Sequence, residues 1–347
     1  MRRVYWLFLL FVLIAPLQAC QDRKTQKVIK SQVRVPRTMQ VKILRKIHYP
    51  NIPSASGLEI IQDKIYVVGD DSPFLYVLDA VSLQLVDKIK LFDTNFFTSG
   101  RIPKALKPDL ECLTTITLAG QECLLAFGSG SAPTRNKCYT INLPAGATKA
   151  PKVKEYSLQH LYAQLQQDKN LMADDLLNIE AAATTPDNQL ILLQRAALTG
   201  HNALIWFNTA EFTQYLTGNQ KQVPAFDTLA FDLPNIHNID ARFSGAYAYN
   251  NRLFFTASVE NTTDAILDGE VLGSFVGWLQ ISDIKPNATT AIPLHTALIT
   301  DETGATYKGK IESLAIQRQE ATNVYRGLAV TDNDNGESEL LELLITL

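Results

Sequence analysis

Ser56-Gly57-Leu58-Glu59, followed one hairpin later by Asp70-Asp71-Ser72, is the first of five similar pairings along the chain. The later leading segments are Asp109-Leu110-Glu111, Asn178-Ile179-Glu180, Ser244-Gly245-Ala246-Tyr247 and Lys310-Ile311-Glu312. The clusters that follow them are Gly128-Ser129-Gly130-Ser131, Gln194-Arg195-Ala196, Ser258-Val259-Glu260-Asn261 and Asp332-Asn333-Asp334-Asn335. A strand-built repeat of roughly 50 to 70 residues, insertions included, marks a β-propeller.

Around those segments the Val, Ile, Leu and Tyr runs divide into four-stranded units. Leu58 to Ile61, Lys64 to Gly69, Phe74 to Leu78 and Leu85 to Leu91 form the first, and three more follow in the same order. In the fourth unit the outer strand is placed at Thr289 to Pro293. The fifth unit has only three strands of its own, and Val41 to Ile47 is available to complete it, which removes two open sheet edges at once. The predicted fold is therefore all-β, a five-bladed propeller closed by an N-terminal strand. Six blades is the alternative if strands hide between Leu143 and Asn178. A short helix over Gln159 to Leu171 is inserted between blades two and three, and a helical turn is expected over Ala210 to Gly218.

The N-terminal segment addresses the compartment. Arg2 and Arg3 precede an apolar run that ends in Leu17-Gln18-Ala19-Cys20, the pattern of a secretory signal with a lipobox-like end. The run is short for a spanning helix, which needs about 20 residues. Residues 1–19 are read as a signal peptide, 20–39 as a tether anchored through lipid on Cys20, and 40–347 as one propeller domain. A membrane is the expected partner, reached through that lipid. Gln21 after Cys20, by resemblance to the enterobacterial sorting rule, favours the outer membrane. The expected location is the periplasm or the extracellular face of the outer membrane of a Gram-negative bacterium. A formal net charge of −3 and the absence of a basic stripe argue against a nucleic-acid partner. Besides Cys20 the chain has Cys112, Cys123 and Cys138, an odd set inside β-like runs, where buried free thiols are expected.

In a propeller the start of each inner strand and the end of the second strand share one face. Glu59, Glu111, Glu180 and Glu312 are thus expected to converge at a channel mouth, joined by Asp70, Asp71, Glu260, Asp332 and Asp334. Such carboxylates hold raised pKa values unless positive charge neutralises them. A calcium ion could do so with Glu59, Glu111, Glu180, Glu312, Asp71 and Asp332 as ligands. Salt bridges to Arg135, Arg195, Arg242 and Lys310 are the alternative, and hydrogen bonds to neighbouring backbone are another. Ser129 and Arg135, in a glycine- and serine-rich turn, and Tyr247 complete the candidate ligand-binding set. Asn261 to Phe275 reads as a long acidic loop on the same face. No nucleophile elbow, phosphate loop or histidine pair is present.

Ser56-Gly57-Leu58-Glu59 with Asp70-Asp71-Ser72, Asp109-Leu110-Glu111, Ser258-Val259-Glu260-Asn261 and Lys310-Ile311-Glu312-Ser313-Leu314 resemble the repeats of secreted bacterial propellers. These are the phytase-like esterase and SdiA-regulated groups. The likeness spans most of Val41 to Leu347 and is greatest to an uncharacterised lipoprotein family. It implies calcium binding or phosphoesterase chemistry among relatives, and Glu59, Glu111, Glu180 and Glu312 as mouth residues. The expected function is binding of an ion, small ligand or partner at the mouth. The alternative is a calcium-assisted hydrolase of a phosphoester, lactone or glycan-derived substrate, with Glu59 or Glu260 as general base.

Overall fold

The computed structural model describes residues 30–31, 39–94, 100–143, 151–197, 201–262, 269–285, 292–333 and 335–347. After β1 (Lys30–Ser31) and β2 (Gln40–Tyr49) the chain folds into antiparallel meanders. The first is β3 (Ala55–Ile61), β4 (Lys64–Gly69), β5 (Phe74–Asp79) and β6 (Leu85–Lys90). The second is β7 (Leu110–Leu118), β8 (Gln121–Gly128), β9 (Lys137–Asn142) and β10 (Lys152–Ser157). The third is β11 (Ile179–Thr184), β12 (Gln189–Gln194), β13 (Asn202–Asn208) and β14 (Phe226–Phe231), with β1 parallel to its outer edge. A small hairpin, β15 (Asn235–Ile236) and β16 (Ile239–Asp240), leads into the fourth: β17 (Arg242–Tyr249), β18 (Arg252–Asn261), β19 (Glu270–Gln280) and β20 (His295–Thr300). The last comprises β21 (Lys310–Ala321), β22 (Val324–Asp332) and β23 (Ser338–Thr346). Its fourth place is filled by β2, antiparallel to β23 from Gln40↔Thr346 to Tyr49↔Ser338. A short parallel contact of β2 with β20 joins the fourth and fifth meanders into an eight-stranded sheet.

Inner strands close a ring: β3 packs on β7, β7 on β11, β11 on β17, β17 on β21, and β21 on β3. Between each pair of neighbouring meanders lies one apolar cluster. Ile65 and Val67 of β4 face the fifth meander with Leu328 and Val330, whereas Tyr66 and Val68 face the second with Leu113 and Leu124. Middle strands are therefore buried on both faces. That explains why Lys64–Gly69 is a continuous apolar run where a half-buried strand would alternate.

Two local readings change. The outer strand of the fourth meander is His295–Thr300, which pairs Trp278↔His295 through Phe275↔Leu298; its Ala297 and Ile299 are buried, and residues 286–291 lie outside the described residues. The insertion after the second meander is two helices, α1 (Gln159–Gln167) and α2 (Lys169–Met172). α1 buries Leu161, Tyr162 and Leu165 against the second and third meanders, and the Tyr162 hydroxyl donates to Gly128 O at 2.9 Å. In α3 (Thr209–Leu216) the side chain of Asn208 accepts from Ala210 N and Glu211 N, which caps the helix. Cys112, Cys123 and Cys138 are free and buried, and burial pushes the thiol of Cys123 up to about 11 and that of Cys138 higher, which keeps both unreactive. Among the described residues no helix is long and apolar enough to cross a membrane.

β2 supplies a whole strand to the ring, with Val41 and Ile43 buried. A chain begun at Met39 is expected to melt within a few degrees of the full chain, whereas one begun at Asn51 should lose the cooperative transition. Ile43→Asp, which places an unpaired charge in that core, should cost about 3 kcal/mol or more. Circular dichroism melts of the three chains check both statements; an unchanged midpoint for the chain begun at Asn51 contradicts the dependence on closure.

Candidate functional site

The register of every inner strand against its partner slips at one common level, and β21 slips twice more beyond it, at Ile316/Arg318 and Gln319/Ala321. The common breaks fall between Ala55 and Gly57, Leu110 and Cys112, Ile179 and Ala181, Phe243 and Gly245, and Ile311 and Ser313. Each is a β-bulge, which re-aims a side chain and tightens the local twist. The bulged residues are Ser56, Glu111, Glu180, Ser244 and Glu312. Two residues earlier stand Ser54, Asp109, Asn178, Arg242 and Lys310. One residue later the strands approach so closely that a Cβ on Gly57 would lie 2.8 Å from Cys112 C, and one on Gly245 2.7 Å from Ser313 Cα.

Two charge networks occupy this mouth. In the first, the Lys107 ammonium bridges Asp70 and Asp109, reaching the latter at 2.7 Å. Arg135 donates to Asp109 at 2.6 Å and to Ser131 at 2.7 Å, and the Ser129 hydroxyl donates to Asp109 at 2.5 Å. Arg101 pairs with Asp71 and donates to Ser54 Oγ. In the second, Arg195 pairs with Glu260 and lies 3.5 Å from Glu180, while Lys310 is 3.1 Å from Glu312 and 3.9 Å from Glu260. Asn178 donates to Glu180 at 2.6 Å.

Burial works against ionisation of Asp70, Glu111, Glu180, Glu260 and Glu312, and the cations decide which of them escape. For Glu260 the pull of Arg195 and Lys310 outweighs burial and holds its pKa below the usual carboxylate range. Burial pushes Glu312 up to about 8 despite Lys310, and it also raises Glu180, with Arg195 and Lys310 opposing. Glu111 rises well above the ordinary range through burial, Asp109 and Glu180, and it has no hydrogen-bonded or ion-paired partner among the described residues. Arg242 is the converse. Burial and then Arg195 lower its pKa, and among the described residues it has no ion pair.

Glu59 is not part of this mouth. The bulge of its strand falls at Ser56, so Glu59 lies three residues deeper, at the level of Tyr247 in β17. Alignment by the Leu-Glu pair alone set Glu59 beside Glu111, Glu180 and Glu312 and Tyr247 in place of a glutamate; the bulges show that Ser56 and Ser244 take those places. Tyr247 donates to Glu59, and Ile60 N donates to Glu59 Oε1 at 2.9 Å. Both residues line a cavity of ≈ 320 Å³ at the far end of the channel, with Thr114, Thr115, Glu122 and Thr184. Burial pushes Glu59 up to about 8.

The remaining expectations sort by place. Glu111, Glu180, Glu312, Glu260, Arg195, Arg242 and Lys310 gather at the mouth. Asp71 is engaged by Arg101, and Arg135 and Ser129 by Asp109. Asp332 ends β22 opposite Lys310, and its charge acts on Arg101. Asp334 and residues 263–268 of the acidic loop lie outside the described residues, as does Cys20, and that loop is shortened because β18 runs to Asn261 and β19 starts at Glu270. Three mouth residues were missed: Arg101, Lys107 and Asp109. Asp109 opens a quoted tripeptide, so its repeat position was visible; the two cations sit in the connection from β6 to β7, outside the repeat.

Oxygens of Asp70, Asp109 and Glu111 lie within 4.8 Å of one another, close enough to hold a metal ion. The Lys107 ammonium already stands between two of them, so the chain supplies that positive charge itself. The second oxygens of Asp70 and Asp71 are buried and without a hydrogen-bond partner.

Comparison with curated proteins finds no match. Among solved structures the chain is similar to the PQQ-bound aldose sugar dehydrogenase of Streptomyces coelicolor, with a TM-score of 0.41, 13% identity, and coverage of 90% of this chain and 100% of that one. It is also similar to Myxococcus xanthus glutaminyl cyclase, with a TM-score of 0.43, 12% identity, and coverage of 92% and 99%. An exo-1,5-alpha-L-arabinanase from a bovine ruminal metagenomic library gives a TM-score of 0.46, 8% identity, and coverage of 84% and 93%. The model of the family of unknown function DUF6929 matches residues 51–345, which takes in the chain from β3 to β23 and both charge networks but not the closing strand β2, and the chain belongs to that family.

Proposed function

We propose that the chain is a five-bladed β-propeller lipoprotein, held at a membrane through lipid on Cys20 and a tether over 20–39, that binds a small anionic ligand at its charged mouth. Residues 1–19 act as the signal peptide, and the periplasm or the outer face of the outer membrane is its location. Five meanders with a closed ring of inner strands support the blade count, and β2 on β23 supports the closure.

Arg242 carries the ligand reading. It is half-buried beside Arg195, its charge is disfavoured there, and no carboxylate of the described residues is ion-paired with it. An anionic group from a ligand would supply the missing partner through charge-assisted hydrogen bonds. Binding without chemistry fits the rest of the mouth. Glu260, bonded to Arg195 and held below the usual carboxylate range, is a weak base. Glu59, the other general-base candidate, lies at the far end of the channel.

One observation favours the calcium-assisted hydrolase as a second reading: the Asp70, Asp109 and Glu111 oxygens are close together, and one Asp70 oxygen is buried without a partner. Calcium takes about 6 to 8 oxygen ligands, and it could enter only by displacing Lys107.

Three outcomes are expected. Phosphate or sulfate, but not chloride at equal ionic strength, should raise the melting temperature of the wild type. At one hundred times its Kd a ligand contributes about 2.7 kcal/mol, or roughly 4 °C for a domain of this size. Arg242→Gln should abolish the rise, and an equal rise in that variant contradicts the assigned site. Calcium should leave the wild-type melting temperature unchanged. Lys107→Met should lower it and make it calcium-dependent, whereas a calcium-dependent rise in the wild type supports the hydrolase reading. Finally, Cys20→Ser should move the protein from the membrane fraction to the soluble one or leave an unprocessed precursor; wild-type fractionation and mobility would contradict the anchor.

A further inference from the structure

The far end of the channel differs in chemistry from the charged mouth. Its cavity of ≈ 320 Å³ is walled by four of the five inner strands, β3, β7, β11 and β17. That volume is at the small end of ligand pockets. The charged groups that line it are Glu59 and Glu122, and no lysine, arginine or histidine does so among the described residues. Glu122 is exposed at the rim, while Glu59 is only 6% exposed.

The hydroxyls of Thr114 and Thr184 are used to bridge the second and third meanders: Thr184 N donates to Thr114 Oγ1 at 3.0 Å, and Thr184 Oγ1 donates to Thr115 O at 2.7 Å. They are thus structural, whereas Glu59 makes no ion pair among the described residues. At the mouth the buried carboxyls lie among cations, and all but Glu111 are ion-paired with one; here a buried carboxyl opens on a cavity lined by none among the described residues. An anionic ligand is excluded by charge. A neutral hydroxyl compound could hydrogen-bond to Glu59 but makes no use of the two acidic side chains of the lining, whereas a cation can pair with both.

We propose that this cavity binds a small organic ammonium ion, with Glu59 as its ion-pair partner, Tyr247 as the residue that positions Glu59, and Glu122 drawing the cation to the entrance. The titratable groups facing Glu59 are Glu122 and Tyr247, with Tyr249 behind Tyr247. Burial, with Glu122 adding to it, keeps Glu59 protonated up to about pH 8 in the free protein. An ammonium ion favours the carboxylate, so binding at pH 7 releases a proton. Affinity then rises from pH 6 to pH 8 and levels off above it.

Titration calorimetry of the purified full chain with n-butylammonium chloride, 1-butanol and sodium butyrate tests this directly. Saturable binding of the amine alone is expected, with a heat at pH 7 that depends on the ionisation enthalpy of the buffer. Glu59→Gln, an isosteric neutral change, should weaken amine binding about tenfold or more and abolish the buffer dependence. Tyr247→Phe keeps the carboxyl and should retain proton release while shifting the pH at which affinity levels off upward, because a donor to the carboxylate is lost. Equal binding of butanol, amine binding indifferent to Glu59→Gln, or no saturable amine heat up to millimolar concentrations overturns the proposal. Should Glu59→Gln fail to fold, loss of buffer-dependent heat in Tyr247→Phe overturns it as well.

Discussion

The bulge repeated in all five inner strands is the constraint on which the rest of the molecule depends. Each inner strand must lie against two others around a narrow channel, and the backbones approach so closely that Gly57 and Gly245 leave no space for a Cβ. A regular strand alternates its side chains and would send the residue before that contact to one fixed side. The extra residue of a bulge breaks the alternation and adds twist at the point where the strands enter the channel. It fixes one level at which Ser56, Glu111, Glu180, Ser244 and Glu312 are equivalent, and another, two residues earlier, that holds Ser54, Asp109, Asn178, Arg242 and Lys310. Geometry is repeated while chemistry is not. The asymmetry of the mouth therefore comes from side-chain choice on a symmetric frame.

Electrostatics at the mouth follows from how few cations serve many carboxyls. Burial disfavours every charge in the channel, and pairing offsets it unequally. Glu260 draws on both Arg195 and Lys310, and their joint pull holds it below the usual carboxylate range; Lys310 lies nearer Glu312, yet burial still prevails there and at Glu180. Lys107 spends its charge on Asp109 and Asp70, and only a longer-range attraction reaches Glu111. A cation placed by the chain itself is always present and needs no concentration to act, which is why a fixed ammonium at the centre of an acidic group competes so effectively with a metal ion from solution.

Much of this fold was legible because strand, turn and repeat agree. The apolar runs and the turns at Gln62-Asp63 and Asn250-Asn251 set the hairpins, and the strand left over at Val41 to Ile47 was the missing partner of the last unit. Register within the repeat was less legible. Leu58-Glu59 imitates Leu110-Glu111 and Ile179-Glu180, but its bulge is three residues earlier. Ser56-Gly57 and Ser244-Gly245 were the better markers, since a small residue is demanded where two inner strands touch. Arg101 and Lys107 were invisible to a repeat-based argument because they lie between units, in a connection whose path only tertiary structure decides. The outer strand of the fourth meander failed for another reason: edge strands bury only part of their surface, so alternation there is weak and His295–Thr300 competes with its neighbours in sequence.

The three-residue offset of Glu59 separates the two ends of the channel. One end assembles cations and carboxyls from connections and second strands as well as inner strands, so its charges can pair within the protein. The other end is built mainly from inner-strand residues and tight hairpin turns, among them Thr114, Ala183 and Tyr247, which offer hydroxyls and methyls but no cation. A carboxyl placed among them has hydrogen-bond donors but no cationic partner among the described residues, and it holds its proton or takes a cation from solution. Inner-strand symmetry supplies Thr114, Ala183, Tyr247 and Ala315 at the level of Glu59, so nothing in the frame requires an acid there. An acid at that one position, buried and facing a cavity, makes no contribution to closure of the ring and burdens folding increasingly from the ordinary carboxylate range up to about pH 8, a burden that a ligand for Glu59 would account for.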